Sequence, residues 1–333
     1  VTDLTPITYA DTAHTSEKFL WQRSEPCHHG KRFRLAAVSG QQLPYRHPSE
    51  PLFPARELVD TRPERLHELE QMPNHSPRPL DRPEHPLRWD EECLRYTSQT
   101  KIDFFIGVLR ALGVVSFFAL IPISIFVVVY GFFERGSFGE EFWNFSSWRV
   151  PVFFVVFSLF TWGGANLVYG LFPKYTAGYQ PGPMWELNRR TGMVKVFANS
   201  AKKSTAWKVA HELPFHEFDC YLQSSPSSQG IAQYNLSLVH YSVEAHVALV
   251  GMFGVTSRLD QLAAWDMLQR FMDTSQPLPD SPQWEQFRPL DPTTLEYDKE
   301  IARPPRYWRD MDDETFNQKI VELQDRLSEF YFG

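Results

Sequence analysis

The sequence predicts an α+β membrane protein: a two-helix transmembrane hairpin carrying a cytoplasmic antiparallel β domain that a C-terminal helix closes. Three observations predict it. Residues 111–133 and 150–172 carry no charged side chain. Lys and Arg are more frequent on the outer flanks of these two segments than between them. Beyond residue 183, apolar residues alternate with a period of two until a helical period takes over after Ser257.

The two charge-free segments hold the hairpin, within residues 104–172. Each is 23 residues long, and at about 1.5 Å per residue each reaches roughly 34 Å, enough for a bilayer core of about 30 Å. A mean hydropathy of −0.35 over the whole chain hides this segregation. Pro122 is expected to kink the first span, and Gly163, Gly164 and Ala165 to give the second a small-residue packing face. Asn166 is expected to bond between the helices, and Trp143, Trp148, Tyr130 and Tyr169 stand where an aromatic belt would lie.

Orientation follows from the basic flanks. Arg95, Lys101 and Arg110 precede the first span, and Lys174, Arg189 and Arg190 follow the second. The connecting loop "ERGSFGEEFWNFSSWR" has only Arg135 and Arg149, beside Glu134, Glu140 and Glu141. Six against two places both termini in the cytoplasm, so the short loop lies outside the inner membrane. "VTDLTPITYADTAHTSEKF" has no apolar run behind a basic start, so the first span is expected to act as an internal anchor.

Residues 1–100 form a proline-rich region with 12 of the 26 prolines and 7 of the 11 histidines, and without sustained periodicity. "CHHGKRFRLAAVSG" suggests one short strand, Arg32–Val38, and "PARELVDTRPERLHELEQM" a broken helix with apolar Leu58, Leu66 and Leu69. The region is either a loose arm or a wrap over the second domain.

That domain spans residues 183–275. "MWELNRRTGMVKVFA" predicts a β-hairpin with a strand ending at Leu187, a turn at Asn188–Gly192, and Met193, Lys195 and Phe197 alternating with Val194 and Val196. Further strands are expected before Pro214 and over Phe215–Leu222. Two long strands should follow, one with Tyr234, Leu236 and Leu238, the other with Val243, Ala245, Val247 and Leu249, joined by a tight turn at His240–Ser242. Ser257, with Asp260 three residues on, starts a helix whose apolar face is Leu259, Leu262, Trp265, Leu268 and Met272. An antiparallel meander closed by one helix is the pattern of a pleckstrin-homology-like barrel. Residues 276–333 read as a proline linker and a second amphipathic helix, begun by Asp312 or Asp313, with Phe316, Ile320, Leu323, Leu327 and Phe330 in one stripe. Such a helix docks on its own domain or on a partner.

A net charge of −7 and a pI near 5.9 argue against nucleic-acid binding, which needs a basic surface. Cys27, Cys93 and Cys220 are too scattered for a disulfide framework. "HELPFHEFD" gathers His211, Glu212, His216 and Asp219, but the histidine interval is five and Pro214 interrupts it, unlike a helical zinc motif. Cys27, His28 and His29 are adjacent, and adjacent residues rarely reach one metal. No nucleophile elbow or phosphate loop is present. The expectation is a protein that is not an enzyme and needs no cofactor or metal.

Two stretches carry a resemblance: "MWELNRRTGMVKVF" at 184–197 and "AAWDMLQRFMDTSQPLP" at 263–279. They resemble a family of proteobacterial proteins with two transmembrane helices and a β-rich domain, often encoded beside type VI secretion effectors. The likeness covers roughly residues 100–280, and the family usually has Arg-Phe where this chain has Trp185-Glu186. The resemblance implies an immunity protein that binds a cognate effector toxin. With the domain in the cytoplasm, that toxin would act there, for instance as a nuclease. The alternatives are an adaptor that loads the effector and a lipid-binding regulator, which should show a basic pocket; near-balanced charge over 183–273 speaks weakly against the latter. The candidate partner-binding residues are the stripe Phe316, Ile320, Leu323, Leu327 and Phe330, and the acidic cluster Asp310, Asp312, Asp313 and Glu314.

Overall fold

A computed structural model describes residues 8–17, 40–45, 51–54, 61–71, 85–135, 149–172, 178–227, 230–249 and 257–329. The chain divides into two compact units, one of residues 1–97 with 181–333 and one of residues 98–180.

The second unit is the helical hairpin. Its first arm is α2 (Lys101–Val115), a π turn at Ser116–Leu120, and α3 (Ile121–Arg135). Its second arm is α4 (Arg149–Ser158), a π turn at Leu159–Gly163, and α5 (Gly164–Leu171). Lys101–Tyr130 and Arg149–Leu171 are both long and apolar enough to cross a membrane, and only 17% of each apolar window is buried. The core helix of a soluble unit is mostly buried, and these two are mostly exposed. Phe118, Phe126 and Phe160 all face outward.

Pro122 has no N–H to give to the carbonyl four residues back, and the helix widens into the π turn immediately before it, where Ile121 N–H donates to the Ser116 carbonyl. The seam between the arms differs from the expected one. It is lined by buried Gly113, Ser116, Ser158, Thr161 and Ala165, while Gly163 and Gly164 face open space and Asn166 is exposed. A Cβ on Gly113 would come 2.5 Å from the Trp162 nitrogen. Trp143, Trp148 and Lys174 lie outside the described residues.

The first unit holds two antiparallel sheets. One has the order β1-β7-β8-β9, from Gly40–Leu43, Phe218–Pro226, Ala232–His240 and His246–Ala248. The other has the order β2-β3-β4-β5-β6, from Arg88–Trp89, Cys93–Tyr96, Trp185–Asn188, Met193–Phe197 and Val209–Pro214. The expected β4–β5 hairpin forms, with Trp185 opposite Val196. Three strands, β1 to β3, come from before the first span, beyond the 183–275 stretch read as the β domain. The described segments at 40–45, 51–54 and 85–97 therefore wrap into this unit. The proposed strand Arg32–Val38 lies outside the described residues; of the expected broken helix, α1 (Pro63–Gln71) is present with Leu66 buried, while Leu58 and the Leu69 side chain lie outside the described residues.

The helical hairpin is inserted between β3 and β4, which pair antiparallel with Tyr96 opposite Trp185. Their rings stack with centroids 5.6 Å apart. The second of the two expected long strands is short. Among the described residues β9 covers His246–Ala248, with further bonds from His240 N–H to the Ala245 carbonyl and from Leu249 N–H to the Leu236 carbonyl, and the His240 ring accepts the Ser242 and Val243 N–H groups at 3.1 and 3.0 Å and holds a wide turn. Ala245, Val247 and Leu249 are nonetheless buried, as their alternation predicts.

Helix α6 (Arg258–Met272) is capped as expected, Ser257 Oγ accepting from Asp260 N–H at 3.1 Å. Its expected single apolar face is too narrow. Ala263, Ala264, Met267 and Phe271 are buried as well, and so is Asp266, so the helix runs through the core and does not merely cover an end. The stretch 274–282 is no free linker either: Leu278 is buried, its N–H held by Thr294 Oγ1 at 2.8 Å and its carbonyl by Arg288 at 3.1 Å. Two further helices follow, α7 (Pro292–Glu300) and α8 (Asp313–Glu329).

Candidate functional site

The C-terminal region separates into a buried stripe and an acidic surface. Phe316, Ile320, Leu323 and Leu327 all belong to the core of the first unit, and Phe316 packs edge-on against Trp308 at 6.1 Å. Of the two roles open to this stripe, docking on its own domain is the one observed. Burial removes these four from any partner surface; Phe330 lies outside the described residues.

The acidic cluster is outside. Asp312 caps α8, accepting from Thr315 N–H at 2.8 Å and Thr315 Oγ1 at 2.7 Å. The Thr315 hydroxyl and amide hold its carboxyl below the usual aspartate range. Asp313 and Glu314 fill the first turn, where the helix dipole favours negative charge. Asp310 accepts from Arg306 at 3.0 Å, both half-exposed. Glu322, Asp325 and Glu329 continue the exposed acidic side of α8. Residues 276–333 hold 13 acidic and 7 basic side chains, so this stretch accounts for −6 of the chain's −7. The arrangement is a run of exposed carboxylates along α8.

The histidine-rich motif is dispersed. His211 and Glu212 lie on β6, His216 in a short 3-10 turn at Phe215–Glu217, and Asp219 on β7. Among the described residues no group of three His, Cys, Asp or Glu is placed to hold a metal; Cys27, His28 and His29 lie outside them. Cys93 and Cys220 are buried free thiols, and burial pushes both well above the usual thiol range, so neither is a ready nucleophile.

The residues that sequence reasoning missed form a buried ionic frame. Arg189 and Asp291 are fully buried and paired at 2.9 Å. Tyr9 Oη donates to Asp291 at 2.6 Å, and burial raises its pKa. Arg95 and Lys195 flank buried Glu186 at 2.6 and 3.1 Å. Burial alone would raise the Glu186 carboxyl, but these two cations outweigh it and hold it below the usual range. The sequence signal for Asp291 was present, since Asp before Pro292 is a helix-start pattern, and Asp291 accepts from Thr294 N–H at 3.1 Å. For Arg189 there was none: its neighbour Arg190 has the same side chain and is exposed.

Glu91, in the β2–β3 turn, is pushed up to about 7 by burial, with the Asp90 charge adding to it. A carboxyl raised in the folded state contributes stability fully below its unfolded value near 4.5, and that contribution is lost as pH rises through 7. Glu91→Gln should therefore melt with the parent near pH 4.5 and above it at pH 8, by about 1–2 kcal/mol after allowing for partial exposure. Melting curves at the two pH values test this; a constant gap would contradict it.

Compared with family models, curated proteins and solved structures, the chain finds no match.

Proposed function

We propose that the chain is a membrane-anchored immunity protein that captures and neutralises a cognate type VI secretion toxin acting in the cytoplasm, such as a nuclease. The observation that carries this reading is the anionic C-terminal surface, whose acidic residues are exposed on a helix seated by its own buried stripe. A nuclease presents cations to phosphates, and an anionic surface both steers and blocks such a protein. On this reading the chain binds and does not turn over a substrate.

The anchor is the apolar hairpin, seated in the bacterial inner membrane with both termini cytoplasmic. Of the six flanking cations, Arg189 and Arg95 are paired inside the folded unit. The counting rule acts on the chain as it inserts, before those pairs form, so both arginines still count toward orientation. The pleckstrin-homology-like reading is supported by the succession β3 to β6 in one sheet, β7 to β9 in the other, then α6.

Deleting the gene should make cells sensitive to the effector encoded beside it, expressed without a periplasmic signal. Toxicity confined to the periplasmic form would count against the proposal, and healthy cells that fail to secrete the effector would identify an adaptor. Asp310→Asn with Asp313→Asn and Glu314→Gln should weaken toxin binding about tenfold at low salt. Asp312 stays intact because it caps α8. Titration calorimetry measures the effect, and unchanged affinity would remove this surface from the interface.

A further inference from the structure

The loop between β5 and β6 is hydrogen-bonded to Pro181 and Gly182, where the first unit resumes in sequence. Trp207 Nε1 donates to the Pro181 carbonyl at 3.2 Å, and Gly182 N–H to the Ser200 carbonyl at 3.1 Å. A Cβ on Gly182 would strike the Ala206 carbonyl, so this contact needs glycine. Thr97 Oγ1 donates to the Gly182 carbonyl at 2.7 Å, which joins the outgoing and returning chains at this point. From Thr97 to Lys101, the first residue of α2, is four Cα steps, at most about 15 Å.

The loop is exposed and cationic. Lys202, Lys203 and Lys208 are exposed, and none forms an ion pair among the described residues. Backbone bonds shape it: Thr205 N–H donates to the Lys202 carbonyl at 2.9 Å and Lys208 N–H to the Thr205 carbonyl at 3.0 Å. Trp207 is 44% exposed and shares this side with exposed Met184 and Val209. Phe197 N–H donates to the Met184 carbonyl and Phe197 pairs with Val209, so the three are neighbours. Three cations beside a half-exposed Trp, a short tether from a span, match the chemistry of a headgroup layer, where Trp partitions and lysines meet anionic phosphates.

We infer that the Asn199–Val209 loop is a lipid-headgroup contact that holds the β-rich unit against the anionic leaflet of the bilayer its own hairpin spans. The inference rests on the membrane reading. Each lysine adds about a fivefold preference for an anionic surface, within a Debye length of about 8 Å at physiological salt.

The test uses the full chain with Cys27→Ser, in which buried Cys93 and Cys220 escape labelling. A nitroxide at Ser204→Cys reports the loop, and one at Phe126→Cys reports the span. In nanodiscs containing phosphatidylglycerol, the loop probe should show an oxygen-to-nickel-chelate accessibility ratio about threefold higher than in phosphatidylcholine alone. Lys202→Glu, Lys203→Glu and Lys208→Glu together should remove the difference, as should 1 M salt, where screening shortens to about 3 Å. A ratio indifferent to lipid charge, with the Phe126→Cys probe in the oxygen-rich core, overturns the headgroup contact and leaves the anchor standing. A water-exposed Phe126→Cys probe overturns both.

Discussion

Arg189→Met should lower the melting midpoint of the β-rich unit by about 10 °C, from a loss of about 3–5 kcal/mol. Arg189 is fully buried and serves two structures at once. Its Nη1 donates to the carbonyls of Arg270, Phe271 and Asp273 at 3.2, 2.5 and 2.9 Å, and its Nη2 to that of Gln276 at 2.6 Å. These carbonyls lie at and just beyond the end of α6, where the helix has no donors of its own. The same guanidinium meets both Asp291 oxygens, at 2.9 and 3.2 Å, and Asp291 caps α7. Methionine would fill much of the volume and leave a buried carboxylate and four carbonyls without these donors.

Arg189→Lys should fall between parent and Arg189→Met, since an ammonium has three donors against five and cannot fork. Circular dichroism melts in detergent measure both. If Arg189→Met melts with the parent, the frame contributes nothing to stability.

Trp265→Ala should cost a similar amount, about 3–5 kcal/mol, but through the core. Trp265 has no exposed surface, packs edge-on to Tyr45 at 4.9 Å, and lies 6.2 Å from the Phe215 ring. Its Nε1 donates to the Pro44 carbonyl at 3.0 Å, and the adjacent Asp266 accepts the Leu52 N–H at 2.9 Å. These bonds fasten residues 40–45 and 51–54 to α6. The cavity should therefore loosen those segments before the rest of the unit. Limited proteolysis should cut Trp265→Ala at Tyr45 and at Leu52 or Phe53 at protease levels that leave these positions intact in the parent. Trp265→Phe keeps most of the packing and loses one hydrogen bond, about 1 kcal/mol. General destabilisation without early cleavage there would refute the fastening role.

Local patterns in the chain were legible wherever the physics is local. The Ser257 cap needs only Asp260 three residues on, and the β4–β5 hairpin only alternation around a turn. The α8 stripe was legible as a stripe, yet its covering was not: an apolar face looks the same whether its own core or another protein buries it. The acidic residues at the start of α8 were legible as exposed, because charged side chains at a helix start stay in water. Strand partnership was illegible. Period two marks Cys93–Tyr96 as a possible strand, but nothing in it names Trp185–Asn188 across the inserted hairpin as its neighbour.

By itself the sequence determined two charge-free spans, an antiparallel strand succession ending in a capped helix, and an acidic C-terminal region, because each depends on residues within a few positions of one another. Only the tertiary structure decided that strands from before the first span complete both sheets, that the α8 stripe turns inward, and that Arg189 is buried while Arg190 is exposed. Those outcomes depend on which distant groups meet. Arg189 can be buried only because Asp291, 102 positions away, and four carbonyls beside it replace the water it leaves.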